Sequence, residues 1–312
     1  MFCAPRQPQV YLLNNTVPHK NTHRRAIILM MCALALLICL DACGKYLGGK
    51  EVPVAASTWS RYVGHFLVVL VLFFPRHGWQ LFRAVRPSFQ WARGAFMVTV
   101  TLLYFAALKF MPLAEATALF FLTPLVTTGL SAWFLHERPT RWALIAVVLG
   151  FVGVLIVVRP GGDLPLLGLL LVVAAAACNA CYQTLTRAAS SSATRPESVS
   201  TQLLFAGMVG ALLMTVLMPL WWTPGWTAGV APLTWLVFAA TGFLGAMGHL
   251  LLIRAYTLAP ASVIAPWTYM QLLLSLAIGW LVFDGVPDSF TLIGMAVIGL
   301  APQLTRLHRQ SA

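Results

Sequence analysis

The stretch Leu36–Leu47, LLICLDACGKYL, is apolar enough for the inside of a bilayer, yet it carries Asp41 and Lys45 four residues apart. Its surroundings settle the solvent first. The 312 residues are 60% hydrophobic and 9% charged, against about 25% charged in soluble domains. So few charges cannot cover a water-facing surface, so the chain uses lipid as solvent. Ten apolar runs follow one another: 26–47, 54–75, 93–110, 114–135, 142–158, 165–187, 200–220, 232–256, 261–283 and 289–305. Runs of about 20 residues cross roughly 30 Å of hydrocarbon as helices. Barrel strands would be shorter and would alternate polar with apolar. The expected fold is an all-α polytopic membrane protein with ten transmembrane helices.

Formal charge is +12, but its placement argues for topology and against nucleic acid. With a cytoplasmic amino terminus, the cytoplasmic ends take Arg6, Lys20, Arg24, Arg25, Arg76, Arg83, Arg86, Arg93, Arg138, Arg141, Arg187, Arg195, Arg254, Arg306 and Arg309. The opposite side takes Lys50, Lys109 and Arg159, while Lys45 and Arg61 fall inside spans. This is the positive-inside pattern, and it places both termini in the cytoplasm. Residues 1–25 read as a polar cytoplasmic tail without an apolar core of their own, so the first run is an uncleaved span rather than a signal peptide. Residues 306–312 form a second short tail. Of the six cysteines, Cys178 and Cys181 form a C-x-x-C, but inside a span with no nearby histidine they suit packing better than metal. No metal site and no cofactor is expected.

The chain repeats itself. An offset of 148 carries Pro112 onto Pro260, Pro139 onto Pro287, Leu125 onto Leu273 and Leu144-Ile145 onto Leu292-Ile293. ALKFMPLAEA (107–116) thus answers to AYTLAPASVI (255–264), and HERPTRWALI (136–145) to DGVPDSFTLI (284–293). Nearer the start of each half the offset shrinks: Asp41 matches Asn179, and Ser57, Thr58 and Gly64 match Ser200, Thr201 and Gly207. Five spans per copy is an odd number, so the second copy enters the membrane inverted. The expected units are a five-helix repeat over 26–160 and its inverted counterpart over 161–305, a recurring transporter design.

The segment from ALKFMPLAEATAL through HERPTRWALI to the V-R-P-G at 158–161 closely resembles the EamA family of the drug/metabolite transporter superfamily. Its marks are a proline turn before A-E-A-T-A-L, H-E-R-P-T-R-W between two spans, and a glycine-rich helix ending in V-R-P-G. The resemblance covers essentially the whole chain as two units. It implies a five-plus-five fold with cytoplasmic termini and transport of small organic metabolites: amino-acid, vitamin or nucleoside-like solutes, toxic analogues or metallophores. In the second copy Asp284-Gly285-Val286 replaces Glu137-Arg138, so that turn need not serve both halves alike.

Ionisable groups inside spans are expensive unless they face protein or water. Asp41 lies about 9 Å below the outer end of its span and Arg61 about 12 Å below that of the next, at 1.5 Å per residue. Lys45, one turn from Asp41, can pair with it. His65 adds a titratable ring one turn deeper than Arg61. These four read as a polar wall of a translocation cavity, with Asp41 binding a cationic group or a coupling proton. The alternative is a closed ion pair that only fixes two helices. In the second half Asn179, Tyr182 and Gln183 offer hydrogen bonds, joined by His249 and by Trp267, Tyr269 and Gln271 beside Pro266. Glu115 reads as a cap on the helix dipole, Trp226 as interface belt, and Gly153 and Gly294 as close helix contacts.

The sequence therefore points to a secondary active or facilitative carrier in a bacterial-type inner membrane, working by alternating access on a small-molecule substrate. The proton is its candidate coupling ion, lipids are its surroundings and nucleic acid is no partner. The competing classes are a channel or receptor and an intramembrane enzyme. No H-E-x-x-H, G-x-S-x-G or selectivity-filter motif supports either.

Overall fold

A computed structural model describes residues 20–134, 141–158, 164–190, 197–221, 225–258 and 270–311. Among these residues there is no strand. Eleven α-helices run in order: α1 Lys20–Gly49, α2 Val54–His77, α3 Pro87–Ala107, α4 Leu113–Phe120, α5 Thr123–Phe134 and α6 Arg141–Val158; then α7 Leu166–Ser190, α8 Val199–Leu217, α9 Pro232–Leu258, α10 Met270–Phe283 and α11 Ser289–Ser311. Five stretches in α1, α2, α7, α8 and α9 are long and apolar enough by length and composition to cross a membrane. Large apolar side chains point outward on many helices, among them Val71, Leu166, Val216, Leu236, Leu281 and Ile293. That outer surface suits hydrocarbon, and the chain is a polytopic helical membrane protein.

The local starts and stops have simple causes. Ser198 caps α8 by accepting from the Thr201 N–H at 3.1 Å, and Asp288 caps α11 by accepting from the Thr291 N–H at 2.9 Å. Pro87 opens α3, where a missing N–H costs nothing. Two expected spans differ from the structure. The run 93–110 begins six residues earlier, at Pro87, which moves Arg93 from a helix end into a helix interior. The run 114–135 is broken at Phe121 and Leu122 into α4 and α5. Pro124 follows the break, and without an N–H it cannot continue the ladder from α4. Apolar composition hid this break, because only Thr123 and Pro124 mark it in a run that is largely apolar.

The two sequence halves are interlocked. The most extensive contacts pair α1 with α9, α6 with α11, α3 with α7, and α2 with both α8 and α9. Each joins a helix before residue 159 to one after residue 163. Lipid tails are as apolar as leucine, so such contacts must come from close packing. Glycine supplies it. A Cβ placed on Gly64 of α2 would sit 2.8 Å from the Gly242 Cα of α9, so the two backbones touch. Gly153 and Gly294 bring α6 and α11 equally near: a Cβ on Gly153 would lie 2.9 Å from the Gly294 carbonyl oxygen. This matches the expectation for that pair.

Candidate functional site

A tight turn sets the site. Lys50 N–H and Val52 N–H both donate to the Leu47 carbonyl at 3.1 Å, and Glu51 adopts φ 59° between them. Pro53, at φ −56°, then opens α2. Asp41 is eight residues from the end of α1, and Arg61 is seven from the start of α2. The two charges therefore lie at nearly the same depth. Helix α9 wedges between α1 and α2. A Cβ on its Gly245 would lie 3.6 Å from Leu40 Cδ2 and 3.7 Å from Arg61 Nε, so this glycine leaves room where the three helices converge.

Arg61 is 9% exposed, with its guanidinium over the rings of Tyr62 at 5.5 Å and Phe105 at 5.8 Å. Such stacking is worth about 2 kcal/mol when desolvated. Among the described residues its Nε has no hydrogen-bond partner. Asp41 is half-buried and lies within the field of Arg61. Among the described residues neither group is closed into an ion pair. Asp41 also lies near Tyr104, whose hydroxyl is 3.2 Å from Thr117 Oγ1.

The expected Asp41–Lys45 pair is not formed. Lys45 Nζ instead donates to the carbonyls of Met111 at 2.9 Å and Leu108 at 3.3 Å, and sits 5.6 Å from the Phe283 ring centroid. These carbonyls belong to the turn between α3 and α4, and the charge of Glu115 acts on the ammonium. Spacing allowed the pair, but exposed carbonyls at a helix end attract the ammonium more directly. Lys45 thus pins a turn. Lys45→Met leaves those carbonyls without their donor and lowers stability by about 1–3 kcal/mol. Thermal unfolding in detergent reads this loss, and the protein that remains folded keeps its transport rate.

His65 is 1% exposed, and its ring centroid is 6.1 Å from that of His249 across the α2–α9 contact. His249 Nδ1 is 2.8 Å from the Gly245 carbonyl, whereas among the described residues the His65 ring nitrogens have no well-formed hydrogen bond, though the Leu203 backbone acts on the ring. Gly207 makes space for the His65 ring, since a Cβ there would lie 2.8 Å from His65 Cδ2. In α7, Asn179 Nδ2 donates to Thr123 Oγ1 at 3.4 Å, at the start of α5. Gln183 is exposed one turn further on, and Gln271 is half-buried in α10. Trp267 and Tyr269, with Pro266, lie outside the described residues.

Tyr182 leads to a residue that the sequence placed elsewhere. Arg93, counted as a cytoplasmic anchor, is 4% exposed. It donates to Gln90 Oε1 at 2.5 Å and to the Tyr182 hydroxyl at 3.2 Å, and its guanidinium lies 5.1 Å from the Tyr182 ring centroid. Gln90 Nε2 in turn donates to Glu197 Oε2 at 3.4 Å, which also accepts from the Val85 N–H at 2.9 Å. Gln90 and Arg93, three residues apart on one helix, were the available signal. At the other end of the bundle, Trp59 Nε1 donates to Thr215 Oγ1 at 2.9 Å. Trp59 lines an apolar cleft of about 550 Å³ with Trp226, Trp235 and Phe238. Trp226 is therefore packed in an aromatic cluster, 5.5 Å from the Trp235 ring.

An apolar exterior around interlocked helices, with ionisable groups gathered where the halves meet, defines a multi-pass membrane transporter rather than an enzyme. The chain belongs to the EamA-like transporter family, whose model matches residues 24–159 and again 166–304. It is similar to a protein of Vibrio cholerae named riboflavin transporter, 30% identical over 191 residues, covering 61% of each chain. It is similar also to the pseudopaline exporter CntI of Pseudomonas aeruginosa, 29% identical over 220 residues, 67% of this chain and 71% of that one. A third relative is the S-adenosylmethionine uptake transporter of Rickettsia bellii, 25% identical over 262 residues, 83% of this chain and 85% of that one. A solved structure, described only as a crystal structure of protein, superposes with TM-score 0.65 at 20% identity, covering 90% of this chain and 97% of its own. That likeness concerns the fold.

Proposed function

We propose that the chain carries a small organic metabolite across a bacterial inner membrane by alternating access. Ten spans make the carrier, with α4 and α5 as one broken span, in two inverted five-helix units with both termini cytoplasmic. The central binding region lies between α1, α2 and α9, with Asp41 and Arg61 at its core and His65 and His249 beside them. Tyr182 and Asn179 line the second half, and Gln271 of α10 adds an amide. Lys45 holds the outer turn. Asp41 or a histidine takes the coupling proton where transport is driven. The solute belongs with those of the named relatives: a vitamin, a nucleoside-linked amino acid or a metallophore.

One observation carries this reading. Two opposite charges stand at one depth, inside apolar helices, unpaired among the described residues. A scaffold has no reason to keep such charges, because each is costly in a membrane unless water or solute reaches it. Counterflow in proteoliposomes tests the proposal with riboflavin and S-adenosylmethionine as probes. A carrier loaded with unlabelled probe accumulates the labelled one transiently above equilibrium. Simple equilibration without overshoot would mark a channel instead, and chemical alteration of the probe an enzyme.

A further inference from the structure

The aromatic cleft of about 550 Å³ lies between the start of α2, the end of α8 and the start of α9. Its volume falls among those of small-molecule sites, about 300–1,000 Å³. Its walls are held in place. Trp59 Nε1 donates to Thr215 Oγ1 at 2.9 Å, and Ser60 Oγ donates to the Phe238 carbonyl at 2.6 Å, which ties α2 to both α8 and α9. The rings of Trp226, Trp235 and Phe238 lie 5.5 to 5.8 Å from one another. Gly225 at φ 86° and Gly229 at φ 73° turn the chain so that Trp226 joins them.

The lining decides what can enter. Besides apolar groups it offers two hydroxyls: Thr215, which already accepts from Trp59, and Thr227. A soluble metabolite needs polar partners that fix its orientation, so this cleft suits hydrocarbon. Its rim faces the source of hydrocarbon. Val216, Leu220 and Leu236 each follow a lining residue in the chain, and all three are more than half exposed, at 73%, 76% and 67%. The cleft is thus continuous with the lipid-facing exterior.

Charge sits above it. Trp59 is five residues into α2, so about 8 Å below the helix start at 1.5 Å per residue. The turn over that start carries Lys50 and Glu51, both exposed. Lys50 Nζ lies 5.8 Å from the Tyr46 ring centroid, and the Tyr46 hydroxyl is 3.2 Å from Thr234 Oγ1, the residue before Trp235. Tyr46 also packs in one cluster with Met218, Trp226 and Phe238. Lys109 lies against Gly48, about 200° around α1 from Tyr46, and so faces away from the cleft.

We propose that the cleft holds one acyl chain of a phosphatidylethanolamine, with the lipid phosphate on Lys50 and its ammonium on Glu51. A lysine binds phosphate as a point charge, and an ammonium brings three N–H donors to a carboxylate. Lys50 and Glu51 together carry no net charge, which matches a zwitterionic headgroup. A phosphatidylglycerol would set its uncompensated phosphate beside Glu51, and a choline has no N–H to give. Tryptophan rings suit the boundary where headgroup meets chain. The lipid touches α2 of the first sequence half and α8 and α9 of the second, so it stabilises the two as they are arranged here.

The test reads binding alone and is independent of transport. Native mass spectrometry follows the full chain in detergent, titrated with dioleoyl phosphatidylethanolamine, phosphatidylglycerol or phosphatidylcholine. One phosphatidylethanolamine should remain bound, about fivefold more tightly than either other lipid, the worth of one charge near a membrane surface. Lys50→Gln should weaken it by about fivefold, and Glu51→Gln should erase the preference among headgroups. Trp235→Ala, which removes a wall, should weaken all three lipids by about tenfold, whereas exposed Leu281→Ala on α10 should change nothing. A phosphatidylethanolamine with a diazirine in its chain should label the peptides containing Trp59 and Trp235. Label spread evenly over the exposed helices, or equal effects of Trp235→Ala and Leu281→Ala, would reduce the cleft to ordinary exterior and overturn the proposal. Tighter binding of phosphatidylglycerol or phosphatidylcholine, or binding indifferent to Lys50→Gln, would overturn it equally.

Discussion

Gly242→Val yields no folded protein, and Gly242→Ala loses about 3 kcal/mol or more, at the upper end of overpacking costs. The added Cβ meets the backbone of Gly64 and the backbone nitrogen of His65. Backbone cannot rotate away as a side chain can. Nor can a second substitution restore the space, since the facing residue is already glycine. Gly248→Ala makes the useful comparison. Its Cβ would lie 2.8 Å from Leu37 Cδ2, the end of a flexible side chain on α1. That variant should lose about 1–2 kcal/mol and recover most of it with Leu37→Ala. Gly129→Ala, where none of the described residues lies within 4 Å, should cost nothing. Thermal unfolding in one detergent, with recovery on size exclusion, ranks all three. Equal losses for Gly242→Ala and Gly129→Ala would mean that α2 and α9 do not touch as described.

The same glycines explain what the sequence could and could not say. Gly242, Gly245 and Gly248 recur every three residues along α9, but spacing does not name a neighbour. Only the fold shows Gly242 facing α2, Gly248 facing α1 and Gly245 facing both. The depth of Asp41 and Arg61 was legible, because two adjacent spans joined by a short turn fix depth by residue count alone. Lys45 was misjudged because helix periodicity puts it beside Asp41, while the carbonyls that hold it are more than sixty residues away. Arg93 was misjudged because topology counts weigh an arginine by its place in the chain and not by its partners. The run 114–135 read as one span because a proline in an apolar run changes hydropathy little while removing a backbone donor. Long apolar helices thus follow from composition, but the partners of a buried cation depend on tertiary contacts.

Asp41→Asn should abolish counterflow, by about 100-fold or more if the carboxylate holds the solute's cation or the coupling proton, while leaving the melting temperature unchanged or raising it. The two readouts move apart for a physical reason. A carboxylate without a closed ion pair in an apolar helix carries a desolvation cost that the folded state must bear, so neutralising it relieves about 1 kcal/mol or more. A structural ion pair behaves in the opposite way. Breaking one buried partner leaves the other uncompensated and typically costs about 3–5 kcal/mol. The sign of the stability change therefore separates a binding group from a brace without knowledge of the solute. Arg61→Gln completes the cycle: it gives up its stacking on Tyr62 and Phe105, about 2 kcal/mol, and abolishes counterflow as well. In the double variant the two stability changes should add to within about 0.5 kcal/mol, as for groups that are not in contact. A coupling well above that, together with a lower melting temperature for Asp41→Asn, would show a closed brace between α1 and α2, and the solute would have to be bound elsewhere.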